Sequence, residues 1–451
     1  MNISIILAAG EGTRMKSNYS KVLHKICNRP ILEYVIDASR GADVEKNVVV
    51  AGENEARVRE CFEDIVIKRQ PIGEDLPYGT GYAVMQAVDE IGDGDTVLIL
   101  YGDTPLIRRE TISSFMAYHN DNNLDATVLT SLIDDPTGYG RIVREADGSI
   151  LKIVEEKDAS QEERALREIN SGIYIFKGGL LKEALKEIDS DNAQNEYYVT
   201  DVIEILKNKA YNVGGYIVED SRDILGVNSR QQLALCEGIM RERINNYHMS
   251  NGVTLIDPGT TYIDGNVEID RDTVIYPGVM LEGSTKIGSE SIIRQNSRIS
   301  NSIVGSRVYI ESSVVEDSQL ADGVKIGPYA HIRPNSRIGE DVKLGNFVEV
   351  KNSSLGKNTK ASHLAYIGDS DLGEDINIGC GVVFVNYDGR NKFRSTVEDG
   401  AFIGCNANLI SPVKVEKGAY IAAGSTITDS VEEGDLAIAR ARQINKKDWV
   451  K

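Results

Sequence analysis

A chain of 451 residues with 69 acidic against 50 basic side chains carries a formal charge of −19, which argues against a general nucleic-acid binder because phosphate contact needs a basic surface. Cys27, Cys61, Cys236, Cys380 and Cys405 have neither disulfide nor metal spacing, so a reducing cytoplasm is expected. No apolar run reaches the ~20 residues that cross a bilayer, and the chain enters an apolar strand without a basic leader, so no membrane contact is expected.

Residues 2–9 form an apolar run ending in Ala8-Ala9-Gly10, followed by Glu11-Gly12-Thr13-Arg14-Met15. This pattern predicts a buried strand feeding a loop whose small residues let backbone N–H groups approach an anion. A dinucleotide fingerprint would need a third glycine at 15; Met15 stands there, which excludes a nicotinamide or flavin site. Arg14 and Lys21 add cations nearby, although an ordinary strand-to-helix turn accounts for the glycines alone equally well.

Downstream the pattern alternates: a helix over 30–38 opened by Pro30, a strand over 48–51, a helix over 55–62, a strand over 65–68, a helix over 80–91 and a strand over 97–100. The last strand runs into Tyr101-Gly102-Asp103. The alternation predicts a doubly wound, Rossmann-like α/β unit over 1–228. Ligands gather at the carboxyl ends of such strands, where both the Gly10 loop and Asp103 fall. Asp103 is therefore placed for a metal, or caps a turn.

Ser229 caps a further predicted helix over 229–251, with Leu233, Cys236, Met240, Ile244 and Tyr247 on one stripe. It reads equally as a connector between units or as the last helix of the first.

Beyond it the chain counts in sixes. Ile263, Ile269, Ile275, Leu281, Ile287, Ile293 and Ile299 keep that spacing, and it returns over Leu320–Val350 and Val397–Ile427, with steps of five from Val350 to Leu355 and Ile367 to Leu372. A six-residue period fits no helix. It predicts a parallel β-helix over 252–451 in which each hexad supplies a short strand, a turn and one inward aliphatic residue. At three hexads per coil that is about nine coils, roughly 40 Å of stacked strands. The count breaks between Phe384 and Val397, where Asn386-Tyr387-Asp388-Gly389-Arg390-Asn391-Lys392-Phe393-Arg394 forms a basic loop that leaves the rod.

LAAGEGTRM at 7–15 with Lys21, YGDTPL at 101–106, DPTGYGRI at 135–142, IVEEKD at 153–158, INSGIY at 169–174 and GVNS at 226–229 resemble the sugar-1-phosphate nucleotidyltransferases. HIRPNS at 331–336, GNFVEVK at 345–351, SHLAYIGD at 362–369, NIGCG at 377–381 and NYDGRNK at 386–392 resemble the acetyltransferase half of the bifunctional N-acetylglucosamine-1-phosphate uridyltransferases/glucosamine-1-phosphate acetyltransferases of bacterial cell-wall precursor synthesis. The resemblance runs to Arg440 and implies a left-handed β-helix.

For the first half it implies that Leu7, Ala8, Ala9 and Gly10 surround the uracil nucleotide of UTP, with Arg14 and Lys21 on its phosphates. Gln70, Gly79 and Thr80 read the uracil, although the Ile72–Tyr78 link is longer than the family's. Gly140, Glu155 and Asn170 hold the hydroxyls and amide of N-acetylglucosamine-1-phosphate, Tyr101 and Gly102 belong to the same nucleotide- and sugar-binding set, and Asp103 and Asn228 hold Mg²⁺. That donor set suits an ion that prefers oxygen and keeps several waters. For the second half it implies that His363 is the general base for attack of glucosamine-1-phosphate on acetyl-CoA. Arg333, Lys351 and Lys392 grip the sugar phosphate, and Tyr366, Asn377 and Asn386 orient sugar and acetyl group. Cys380, Asn386, Tyr387, Cys405, Ala423 and Arg440 line the acetyl-CoA site. Cys405 departs from the family's serine and Cys380 from its alanine. His331 packs or faces water, and His24, His119 and His248 have no catalytic role. A homotrimer with active sites between prisms is also implied. The competing reading is a single-activity nucleotidyltransferase with a regulatory or trimerising β-helix; His363 and the basic loop argue against it.

Overall fold

The structure, a computed structural model, describes residues 1–10, 12–73, 76–146, 148–192 and 194–449; Glu11 of the first loop, Glu74 and Asp75 of the Ile72–Tyr78 link, and Val450 and Lys451 at the end of the predicted β-helix lie outside the described residues. The chain divides into two compact units, Met1–Met240 and Arg241–Lys451.

The first unit is built on one sheet. Its main path runs Val213–Ile217, Ala126–Leu132, Glu168–Lys177, Thr96–Tyr101, Asn2–Ala8, Lys46–Ala51 and Val66–Arg69. Every pairing on that path is parallel except those of Glu168–Lys177, which is antiparallel to both neighbours. The central strands are continuous runs of Ile, Leu and Val because helices cover both faces: Ile3, Ile5, Val48, Val50, Val97 and Ile99 are fully buried. The ribbon Arg141–Arg144 with Ile150–Val154 attaches through Arg141 opposite Ile169.

Several local expectations are corrected. The helix predicted over 80–91 stops at Met85 and a 3-10 turn follows at Val88–Glu90, because the Gln86 side-chain amide takes the Tyr82 carbonyl (3.0 Å) while its backbone N–H bonds to Ala83 O. The strand predicted over 65–68 is Val66–Arg69, and the first helix is Ile31–Gly41 with Pro30 just outside it. The late helix is Arg230–Ser250, and Ser229 Oγ accepts from Gln232 N as a cap should. Tyr247 does not belong to its inner stripe: it is 66 % exposed, while Asn245 and His248 are buried. Asn245 turns inward because its amide donates to Pro258 O and Thr261 O at 2.8 and 3.1 Å.

In the second unit, strands pair in parallel with strands one coil on: Ile263 with Leu281, Ile269 with Ile287, Ile275 with Ile293. Each partner lies three hexads later, and one face alone stacks nine short strands, Glu268–Ile269 through Lys414–Val415. The coils run unbroken through the gap in the six-count, where Val304, Ile310 and Val315 take the inward place. Burial of each such aliphatic residue is worth roughly 1.5–3 kcal/mol. The corners explain the residues between. Three positions before the inward residue the backbone turns left-handed, at Asp272, Asn296, Asn335, Asp341, Asn352, Asn358 and Asp375 among others, where Asn, Asp and Gly carry the smallest penalty.

Candidate active sites in the two units

In the first unit the carboxyl ends of two central strands lie side by side, with Leu7 opposite Tyr101 and Gly102 N donating to Leu7 O over 2.9 Å. They open into a cavity of about 560 Å³. Leu7, Ala8, Ala9, Gly10 and Arg14 come to its wall from the first strand and loop, Lys21, Gln70, Gly79 and Thr80 from the segments that follow, Tyr101 and Asp103 from the end of the neighbouring strand, and Asn228 from the 226–229 segment. Gly12, at φ +65°, lets the loop fold onto Lys21; a Cβ there would stand 2.8 Å from Lys21 Cβ. Gly102 lies behind the wall, where a Cβ would come within 3.2 Å of Ala8 Cβ.

Lys21 Nζ donates to Asp103 Oδ2 (2.5 Å) and to Asn228 Oδ1 (3.0 Å). One carboxylate oxygen and one amide oxygen thus converge on the lysine ammonium, and that pair of oxygen donors is of the kind that fits a hard ion completing its shell with water and phosphate. Asn228 is steadied by its own N–H on Gln232 Oε1 (2.8 Å).

Gly140, Glu155 and Asn170 form a neighbouring group. Asn170 N donates to Gly140 O (2.9 Å), and a Cβ on Gly140 would lie 3.3 Å from Glu155 Oε1. A β-bulge between Asn170 and Tyr174 turns this part of the strand, with Gly172 at φ +83°. Asn170 is held inside its own bulge, its Nδ2 donating to Tyr174 Oη (2.7 Å) and its Oδ1 accepting from Gly172 N (3.0 Å). Burial pushes the Glu155 carboxyl above the usual range, and Asp158 and Glu196 add to the shift. Thr137, Tyr139 and Glu196 also reach the cavity and were not singled out from the sequence. The first two lie inside the 135–142 motif. Glu196 gave no local signal; it arrives because Gly81 N donates to Tyr197 O (2.7 Å) and Tyr197 N to Tyr78 O (2.8 Å), and Gly79, at φ +117°, lets Tyr197 come that close.

In the β-helix the expected residues lie along an exposed line. Asn346 pairs in register with His363. Carrying the pairings Ala361–Ile378, Ile378–Ile403 and Ile403–Ile421 two residues onward sets Cys380, Cys405 and Ala423 on the next three rungs. Arg440 flanks the far end, its Cδ 4.0 Å from where a Gly424 Cβ would stand. His363 Nδ1 lies 2.7 Å from Asn346 Oδ1. An amide oxygen only accepts, so Nδ1 carries the hydrogen, which in the neutral ring leaves the lone pair on Nε2. Asn346 lies inside the 345–351 motif but was not singled out from the sequence; only the coil register brings it beneath His363.

Around the corner, Arg333 and Lys351 occupy successive rungs, since Ile332 pairs with Val350, and Gly368 is next, opposite Lys351. A Cβ at Gly368 would meet Tyr366 Oη at 2.5 Å and Asn386 Nδ2 at 2.8 Å. Tyr366 and Asn386 therefore fill the space beside Gly368, on the rung that follows Arg333 and Lys351. Arg333 also pairs with Glu349 (2.8 Å) and His331 with Glu316 (3.0 Å). The basic loop is a hairpin closed by a bridge between Tyr387 and Lys392, with Asp388 Oδ1 accepting from Arg390 N and Asn391 N. Arg394 is committed to Asp371. Lys392 is exposed and makes no ion pair among the described residues, and neither it nor Asn377 is hydrogen-bonded to His363 within this chain.

A strand-end cavity with a paired oxygen site, followed by a hexapeptide coil carrying an imidazole, defines a two-unit transferase. Residues 3–229 match the nucleotidyl transferase family, and residues 317–352 and 394–429 match the bacterial transferase hexapeptide family. The chain is 52 % identical over 448 residues to the bifunctional protein GlmU of Clostridioides difficile (strain 630), covering 99 % of this chain and 97 % of that one. It is 54 % identical over 448 residues to the protein of the same name from Alkaliphilus oremlandii (strain OhILAs), covering 99 % and 98 %. The chain belongs to the bifunctional GlmU family.

Proposed function

We propose that this chain makes UDP-N-acetylglucosamine in two steps. In the β-helix, the amine of glucosamine-1-phosphate attacks the thioester carbonyl of acetyl-CoA while His363 Nε2 takes its proton, and coenzyme A leaves as the thiol. Asn346 holds the imidazole in the tautomer this requires. Arg333, Lys351 and Lys392 bind the sugar phosphate, Tyr366, Asn377 and Asn386 orient the reactants, and acetyl-CoA extends from His363 along Cys380, Cys405 and Ala423 towards Arg440, with Tyr387 beside it. Three rungs of ~4.8 Å make a track of roughly 14 Å for its pantetheine arm.

In the first unit, N-acetylglucosamine-1-phosphate attacks the α-phosphorus of UTP and pyrophosphate leaves. Leu7 to Gly10, Gln70, Gly79 and Thr80 seat the nucleotide, Arg14 and Lys21 offset phosphate charge, and Gly140, Glu155 and Asn170 hold the sugar, with Tyr101 on the cavity wall and Gly102 backing it. Asp103 and Asn228 would hold Mg²⁺, with Lys21 moving from these oxygens to phosphate. Bound there, the ion offsets the repulsion between the two meeting phosphates. The phosphate nucleophile is already ionised, so no protein base is needed.

The chain works in the cytoplasm as a homotrimer. Cysteines that form no disulfide support the first. The projecting Lys392 hairpin supports the second, since an unpaired cation that leaves its own coil can serve a neighbouring prism.

The observation that carries the two-step reading is His363 held by Asn346 at the foot of the Cys380–Ala423 line: a regulatory or purely trimerising prism needs no oriented base. The test is thiol release from acetyl-CoA with glucosamine-1-phosphate, alongside pyrophosphate release from UTP with N-acetylglucosamine-1-phosphate. Both products are expected from one preparation; pyrophosphate without thiol overturns the acetyl half.

A further inference from the structure

Cys380 and Cys405 share more than a neighbourhood. Each sits in the same local frame, Ile378-Gly379-Cys380-Gly381 and Ile403-Gly404-Cys405-Asn406, with the following residue left-handed at φ +77° and +54°. The two frames are laddered directly onto each other: Gly379 N donates to Ile403 O (2.8 Å) and Asn406 N to Cys380 O (2.7 Å). A Cβ on Gly379 would stand only 2.6 Å from Cys405 N. Both thiols therefore leave the coil in the same direction on adjacent rungs, and both are exposed and free. Strands that neighbour in this way are ~4.8 Å apart, inside the roughly 4.4–6.8 Å Cα separation that a disulfide spans.

We propose that Cys380 and Cys405 form a reversible thiol-modification site that takes a low-molecular-weight disulfide and closes to an intrachain bridge across the acetyl-donor track. The first thiolate attacks the reagent disulfide, forming a mixed disulfide and releasing one thiol. The second attacks the protein-bound sulfur, forming the Cys380–Cys405 bond and releasing the other thiol. Two protein thiols are oxidised, one reagent disulfide is reduced to two thiols, and the two protons pass through solvent to the departing thiolates. Coenzyme A disulfide is the preferred reagent because it carries the same pantetheine arm as acetyl-CoA; that choice rests on the acetyl-CoA reading above, whereas bridge formation does not. In a reducing cytoplasm such a bond is transient and responds to the thiol–disulfide balance. It also ties together the two ends of the coil that carries the Tyr387–Lys392 hairpin, so closing it affects acetyl transfer and leaves the Lys21–Asp103–Asn228 site alone.

The test treats the full chain, reduced and then freed of reductant, with coenzyme A disulfide or glutathione disulfide, in a Cys61→Ser background that removes the remaining exposed thiol. Digestion and mass spectrometry then look for a peptide joining positions 380 and 405, lighter by two hydrogens than its separate parts. The expected result is that linked peptide, at least ten times faster with coenzyme A disulfide than with glutathione disulfide. Acetyl transfer should fall at least tenfold, uridylyl transfer should be retained, and both linkage and loss should reverse with dithiothreitol. Cys380→Ala and Cys405→Ser, each compared with its own untreated activity, should give no linked peptide, only a mixed disulfide on the surviving thiol. Mixed disulfides without linkage in the parent protein overturn the bridge. Equal rates with the two reagents overturn the coenzyme preference. A reduced protein that bridges but never transfers acetyl overturns the acetyl-CoA reading and leaves the thiol pair standing.

Discussion

The two units bring distant residues together in opposite ways. In the first, an α/β sheet gathers Lys21, Asp103 and Asn228, which are 82 and 207 positions apart along the chain from Lys21, into contact at one strand-end cavity. In the β-helix nothing converges in that sense: Asn346, His363, Cys380, Cys405 and Ala423 are spaced by one coil each and stand in an open row. A sheet site is made by topology and shares its walls with the core, so packing and chemistry are entangled. A solenoid site is made by repetition, and its side chains project from a core already complete in the inward aliphatic residues.

That difference is sharpest at His363, which is exposed and contributes nothing to the aliphatic column. His363→Ala should lower kcat for acetyl transfer by about 10²- to 10⁴-fold while leaving thermal unfolding and pyrophosphate release unchanged, as read on one preparation by thiol release, calorimetry and a phosphate assay. Loss of stability alongside activity would erase the distinction between the units. Asp103→Asn is the counterpart. It keeps the shape but removes the charge that pairs with Lys21, and uridylyl transfer should fall by about 10²- to 10³-fold with acetyl transfer intact. Isothermal titration should show weakened Mg²⁺ binding in the same variant, separating a lost metal ligand from a misplaced lysine.

Burial also sets an acid sensitivity in the first unit. His119 is buried in the first unit with Nδ1 2.7 Å from Thr127 Oγ1. Burial lowers its pKa to about 4; the nearby Lys177 also pushes down, and Asp125 opposes. The folded form keeps the ring neutral, while the unfolded chain protonates near pH 6.5. Between pH 6.5 and 4 the unfolded state therefore binds more protons, and stability falls as pH falls through that window, by up to about 3 kcal/mol. Heating the protein at pH 5 and at pH 7 and measuring surviving uridylyl transfer should show lower survival at pH 5. His119→Gln should narrow the gap between the two pH values whatever it does to either alone; an unchanged gap would assign the acid sensitivity elsewhere.

Much of the fold was legible in the sequence, for reasons that differ between the units. The six-residue count is nearly a direct image of the coil, since each inward Ile, Leu or Val repeats one physical requirement, and the gap between Ile299 and Leu320 hid three coil positions only because the step shortened to five. In the first unit the apolar strands were plain, but the helix over 80–91 was not, because its end depends on a single side-chain amide, Gln86, competing for the Tyr82 carbonyl. Tyr247 and His248 sit next to each other on a helix; which faces inward was decided by Asn245 finding the carbonyls of Pro258 and Thr261. Site residues inside motifs could be named from resemblance, whereas Glu196, which reaches the cavity through the Tyr197 backbone, required the tertiary structure.

The smallest expected effect bears most directly on how a repeat builds a site. If the row is functional as a row, the residue one rung beneath the base should matter although it touches no substrate. Asn346 Oδ1 accepts the Nδ1 hydrogen of His363, and losing one such hydrogen bond is worth about 0.5–1.5 kcal/mol, or up to about tenfold in rate. Asn346→Ala should lower kcat for acetyl transfer by about that factor with KM for acetyl-CoA unchanged. Asn346→Asp should restore orientation and, by placing a carboxylate against the imidazole, favour the imidazolium, moving the acidic limb of the pH–rate profile to higher pH. A residue with only a structural role would change stability without moving that limb, so a fixed limb in Asn346→Asp would reduce the row from a positioning device to a by-product of the coil.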